Sequence, residues 1–179
     1  MTPEPDPVFD PDGYRSSLLA ALGEDDPADA QRETVAAIRA IVADAGPLLR
    51  VRPEAGEWSV LECVGHIVDA ELVAGTRERW IISEDEPRIV GYDQALWVDR
   101  LDHNADDAEL LIATFEAIRA ANLDLWARRP ANDRRRVGRH EERGPESYEM
   151  TFRLAAGHDR VHLAQARRAL EAVRRRAGE

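Results

Sequence analysis

The segment Ala155-Ala156-Gly157-His158-Asp159-Arg160-Val161-His162 carries two histidines four positions apart. On an α-helix that spacing sets the side chains about 40° apart around the axis and one turn above each other. Both imidazoles then reach a single ion from the same side. The pattern alone is weak, because a chain with five histidines produces it by accident. Its setting adds weight. At about 100° per residue, Phe152, Leu154, Ala155, Val161, Ala166, Ala169 and Leu170 fall on one broad face around His158 and His162. Arg153, Arg160, Arg167 and Glu171 point away. The two histidines therefore face a core, where an unsatisfied polar group costs on the order of 1–3 kcal/mol. A shared metal would satisfy one nitrogen of each, and carboxylates or backbone groups would do so too. The helix alone leaves both readings open.

His66 is the third candidate. It sits among Cys63, Ala70, Val73 and Ile81, a pattern that also turns it inward. Three histidines from two facing helices would leave one or more coordination positions open, the pattern of a catalytic metal site rather than a closed structural one. Glu62 and Asp69 lie within about one turn of His66; they could bind the metal, act as a base or hydrogen-bond His66, and the last is expected. Asp159 could orient a histidine as an acceptor or pair with a nearby arginine. Cys63 could be a soft ligand but is expected to be a small buried residue.

Other polar residues are read more plainly. His103, at a helix start, and His140, in an Arg-rich loop, are expected to be exposed. Arg134-Arg135-Arg136 with Arg139 and Arg143 could form an anion-binding rim, although a solvated loop is the simpler expectation. Trp58, Trp80, Trp97 and Trp126 read as core or loop anchors, and Tyr92 with Trp97 as the aromatics that line a pocket.

The elements that must position these residues are helical, since no alternating β-branched run occurs. A short helix is predicted over Tyr14–Leu22, and a long one from near Asp29 to Gly46-Pro47. Ser59 followed by Glu62 predicts a capped start for the second long helix, which runs to about Ile82. A polar connection follows to about Asn104, long enough to carry function or local structure of its own. The third long helix starts near Asp106 or Asp107 and ends at Pro130. Residues 131–149 show no regular signal, and the fourth long helix opens between Ser147 and Thr151 and runs to about Arg175. Four such helices predict an all-α fold, an up-and-down-type four-helix bundle with long connecting loops in place of tight hairpins throughout.

With 179 residues, 44% of them apolar and 33% charged, the chain fits one bundle domain over 1–179 with a short N-terminal extension over about 1–13. No apolar run approaches the ~20 residues that span a bilayer, and the N-terminus has no signal-peptide pattern, so a cytoplasmic protein is expected. The formal charge of −11 argues against nucleic acid or an anionic membrane as partner. Every basic side chain is arginine, which with the many alanines suggests a GC-rich genome. A single cysteine excludes an internal disulfide.

Several segments also carry a family resemblance. Trp58-Ser59-Val60-Leu61-Glu62 and Gly65-His66-Ile67-Val68-Asp69-Ala70-Glu71 resemble the second helix of DinB/YfiT-like proteins. Ala156-Gly157-His158-Asp159-Arg160-Val161-His162-Leu163-Ala164-Gln165 resembles their last long helix. Gly91-Tyr92-Asp93-Gln94-Ala95-Leu96-Trp97 and residues 107–122 are similar to the family's middle region, so the likeness spans about Tyr14 to Arg168. The resemblance implies a four-helix bundle binding a divalent metal, often zinc or nickel, at His66, His158 and His162. It also implies, for some members, activation of a low-molecular-weight thiol such as bacillithiol or mycothiol for S-transfer or isomerisation. Three inward histidines with room for an exchangeable ligand lead to the expectation of a metal-dependent enzyme, a thiol S-transferase or a hydrolase of small molecules. A homodimer is common in the family. A non-catalytic metal- or ligand-binding stress-response bundle is the alternative expectation.

Overall fold

A computed structural model describes residues 9–178. In chain order the helices are α1 (Pro11–Leu22), α2 (Pro27–Ala45), α3 (Val60–Ser83), α4 (Gln94–Arg100), α5 (Ala108–Arg128), α6 (Ala131–Arg134) and α7 (Tyr148–Ala177). The long ones start where a side chain satisfies the free N–H groups of the first turn. Asp26 caps α2, Asp107 caps α5 and Ser147 caps α7. Ser59 and Glu62 make the reciprocal capping box expected at α3. Gly46, with a φ of 49°, ends α2 in a conformation that favours glycine.

Around the bundle the order is α2, α7, α3, α5, each packed mainly on its neighbours. Consecutive long helices α2 and α3 thus sit largely across the bundle from each other, and so do α5 and α7. This departs from a simple up-and-down arrangement, because residues 46–59 and 129–147 are long enough to cross an end of the bundle. Ile38, Val64, Ile67, Ile112, Phe115 and Leu163 join all four long helices in one buried cluster. Each such side chain contributes roughly 1.5–3 kcal/mol by leaving water.

The short helix α1 lies along α7. A Cβ at Gly157 would stand 2.1 Å from the carbonyl oxygen of Leu18, so only glycine allows this approach. The contact brings Tyr14 and Leu18 beside the histidine-bearing turns of α7.

Three short strands, β1 (Arg88–Ile89), β2 (Val137–His140) and β3 (Gly144–Ser147), form a sheet in that order. The β1–β2 pair is parallel and the β2–β3 pair antiparallel. Sequence patterning shows no strand here, because two to four residues including Gly138, Gly144 and Pro145 are too few and too irregular to alternate. Tertiary pairing makes them strands. The buried Ile89 side chain and Gly138 seat the sheet against Ile81, beside Tyr148, Phe152 and Trp126. Among the described residues no helix is long and apolar enough to cross a membrane.

Candidate metal centre

His66 lies on α3 one turn beyond the capping box, and His158 and His162 lie one turn apart on α7. All three are buried. The Nε2 atom of His66 is 2.9 Å from Nε2 of His158 and 3.2 Å from Nε2 of His162. One ligand atom of each histidine lies within 4.8 Å of the others. A tetrahedral ion with Zn–N bonds of ~2.0–2.1 Å requires its nitrogen ligands to stand roughly 3.3 Å apart. The two Nε2 distances from His66 come close to that spacing, and the three ring centroids lie 4.2–4.8 Å apart.

Charge state agrees with geometry. Burial, reinforced by the neighbouring imidazoles, pushes His66 and His158 well below the ordinary histidine range. Burial also pushes His162 down to about 4. All three are therefore neutral at pH 7, the form that binds a metal. The Nδ1 of His162 lies 2.8 Å from the Gln165 side-chain oxygen. Because that oxygen only accepts, the proton sits on Nδ1 and the lone pair of Nε2 points into the cluster. Gln165, one turn on along α7, was not singled out from sequence; its i, i+3 spacing from His162 was the available signal. Replacing it by leucine is expected to weaken metal binding about 10–100-fold. Competition against a chromophoric chelator measures this, and an unchanged affinity would remove Gln165 from the site.

Trp58 stands at the edge of the cluster, its ring 5.1 Å from His66 and 6.1 Å from His162. It walls the imidazoles on the side where the chain enters α3. Cys63 is fully buried among Ile41, Ala45, Val60, Ala166 and Leu170, and burial pushes its thiol up to about 12. It packs as a small apolar residue and does not join the histidines.

The carboxylates expected near the histidines are engaged elsewhere. Glu62 does not bond His66; it accepts from the backbone N–H of Ser59 at 2.8 Å and from Arg52. The cap and the arginine leave its carboxylate at the helix end. Asp69 bonds Nε2 of His103 at 2.8 Å, not His66. Asp159 does not orient a histidine either. It accepts from Arg119 at 2.8 Å and from the Thr34 hydroxyl at 2.9 Å, the arginine pairing being the other sequence reading. Arg119, 1% exposed, also binds Glu71 at 2.7 Å, so one guanidinium ties α5 to α3 and α7.

His103 and His140 are buried, against expectation. His103 fits the notch left by Gly65, where a Cβ would lie 2.5 Å from its ring, and its nitrogens face Asp69 and Asp106. The hydrogen bond to Asp69 raises its pKa above the ordinary value despite burial. In His140, Nδ1 accepts from the backbone N–H groups of Glu142 and Arg143. Burial and the nearby Arg143 push its pKa down to about 3. The supposed arginine rim disperses as well. Arg134 stacks over Trp126, Arg136 binds the Ile81 and Glu84 carbonyls, and Arg139 binds Glu86. Only Arg143 of the group reaches the pocket described next.

A pocket opens over His158, bounded by α1, α3, α7, the β1–α4 connection and the β2–β3 turn. Tyr92 lines it as expected, and Trp97 instead supports Tyr92 from behind, their rings 4.5 Å apart. Buried histidines on the long helices thus sit beside a pocket whose walls come partly from the connections.

Metal sites of helical bundles are built from side chains on facing helices, the setting in which His66, His158 and His162 meet. The chain belongs to the DinB superfamily, whose family model matches residues 28–166, a span that includes all three histidines. A protein of Oceanobacillus iheyensis, named provisionally as a metal-dependent hydrolase, is 28% identical over 61% of this chain and 63% of its own length. A second, so named in Geobacillus thermodenitrificans, is 33% identical over 40% of each chain. The aligned region therefore spans less than two thirds of either relative. Among solved structures, YfiT from Bacillus subtilis superposes with a TM-score of 0.72 at 18% identity, covering 93% of this chain and 89% of its own. It is described as a probable metal-dependent hydrolase with an unusual four-helix bundle topology. At that identity the likeness establishes the shared fold.

Proposed function

We propose that this chain is a metal-dependent hydrolase of small molecules, with a zinc or nickel ion held by Nε2 of His66, His158 and His162. The observation that carries the reading is the convergence of three buried, neutral imidazoles at ligand spacing, with His158 lining the pocket. A divalent ion bound there would supply Lewis acidity and bring a coordinated nucleophile to its reactive, deprotonated form near neutral pH. The chain's own contribution is placement. Gln165 holds the His162 proton on Nδ1, Trp58 shields the imidazoles, and the pocket gives access to His158. The names carried by the relatives support the hydrolase class.

One observation favours a second reading, thiol S-transfer at the same site. Asp159 and Glu71, which line the pocket with His158, are both engaged by Arg119. They are poorly placed to take a proton from water, whereas a thiol needs only the ion to become a thiolate. The test is an assay of the zinc- or nickel-loaded protein on a panel of small esters and amides, with and without a low-molecular-weight thiol and an electrophile. Hydrolysis without thiol, lost in His158→Ala, supports the first reading. Thiol conjugation without hydrolysis moves the assignment to the second. Neither reaction, with the metal bound, leaves a non-catalytic bundle.

A further inference from the structure

We propose that the pocket over His158 receives a substrate bearing a single carboxylate, and that Arg77 is the residue that binds it; calling the ligand a substrate rests on the function proposed above. The pocket is lined by two arginines, Arg77 and Arg143, and by four carboxylates, Glu71, Glu142, Glu146 and Asp159. Most of these charges are already matched. Glu71 and Asp159 share Arg119, and Glu146 takes Nε and Nη2 of Arg143 at 2.8 and 3.1 Å.

Arg77 is the cation left over. Its Nη2 donates to the carbonyl of Val90 at 2.9 Å, and its guanidinium lies 6.0 Å from the Tyr92 ring centroid. Its Nε is sealed from solvent and, among the described residues, has no partner. Among the described residues no carboxylate oxygen lies within the 4.0 Å that defines an ion pair with it. Burial, followed by the charge of Arg143, lowers its pKa, which marks a cation short of compensation. A half-buried guanidinium with free donors gains more from an incoming anion than a solvated one does.

The neighbouring charge decides which anion. Gly91 follows Val90, and the Glu142 carboxylate sits against it, 2.1 Å from where a Cβ would be. Among the described residues Glu142 makes no ion pair, so a phosphate dianion entering here would meet its repulsion. A planar monoanion asks for one guanidinium fork and little more. Leu18, Val73, Ala74 and Leu154 complete the wall with apolar surface suited to an aliphatic stem.

The test titrates hexanoate and hexanamide into chelator-treated, metal-free protein and follows binding by NMR shifts. Omitting the metal keeps a carboxylate from being captured by the ion. Hexanoate is expected to bind about tenfold or more tighter than its isosteric amide. In Arg77→Gln the preference should fall to within about twofold while hexanamide binding stays unchanged, and Arg77→Lys should keep part of it. Glu142→Gln should tighten hexanoate a few fold, which gives a reading even if Arg77→Gln proves unstable. Equal binding of the two probes by the wild type, equal loss of both in Arg77→Gln, or binding of neither overturns the proposal. Because the probes are read without metal, a failure of metal uptake leaves the result standing, and metal uptake without carboxylate preference sinks this inference alone.

Discussion

Elemental analysis of the untagged protein is expected to return about one equivalent of zinc or nickel per chain, and a variant with alanine at His66, His158 and His162 is expected to return none. The expectation follows from ligand geometry. The Nε2 atoms of His158 and His162 stand 2.9 and 3.2 Å from that of His66, close to what one tetrahedral ion demands. Without an ion, three buried neutral rings share one small space, and among the described residues Nδ1 of His66 has no hydrogen-bond partner. A metal that binds only the folded chain adds stability by mass action, about 4 kcal/mol when present at 1,000 times its dissociation constant. Removing it with a chelator should therefore lower Tm by roughly 8–16 °C for a chain of this size. The alanine variant should show neither the metal nor the chelator response. A wild type that stays metal-free after reconstitution with zinc and nickel would leave a core of three histidines, and the function proposed above would fall with it.

The second large effect lies in the buried ion cluster behind the site. Replacing Arg119 by methionine should cost about 3–5 kcal/mol in urea unfolding at pH 7, because two buried carboxylates would lose the guanidinium that pairs them. Glu71 would keep the Asn122 amide at 2.7 Å and Asp159 the Thr34 hydroxyl at 2.9 Å, each a neutral donor facing a buried charge. Combining Arg119→Met with Glu71→Gln and Asp159→Asn should recover much of the loss, since the cost is that of unpaired charge rather than of missing attraction. A loss below about 1 kcal/mol for Arg119→Met would mean that water or rearrangement solvates these carboxylates. Asp159 adjoins His158, so the single variant should also reduce metal content, whereas the triple variant should restore it.

Helix spans and the inward turn of the histidines were legible because both are local. Capping by Ser59 and Glu62, the stop at Gly46-Pro47 and the apolar stripe around His158 and His162 each depend on residues within a turn or two. The same periodicity that turned His66 inward could not say what it would meet. Which polar groups meet across helices depends on how the helices are rotated and ordered, and here the order α2, α7, α3, α5 brings Arg119 of α5 to Glu71 of α3 and Asp159 of α7. For that reason Glu62, Asp69 and Asp159 found Arg52, His103 and Arg119 in place of His66, His158 and His162.

The burial of His103 against Gly65 and the pairing of β1 with β2 join residues far apart in the chain, as does the placing of Arg77 and His158 on one pocket. Periodicity reports which side of a helix is apolar; it carries no information about distance between segments. The three histidines could thus be picked out as inward-facing from types and spacing, with the family resemblance adding the metal, while the pocket beside His158, the Gln165 contact and the charges around it were settled by packing.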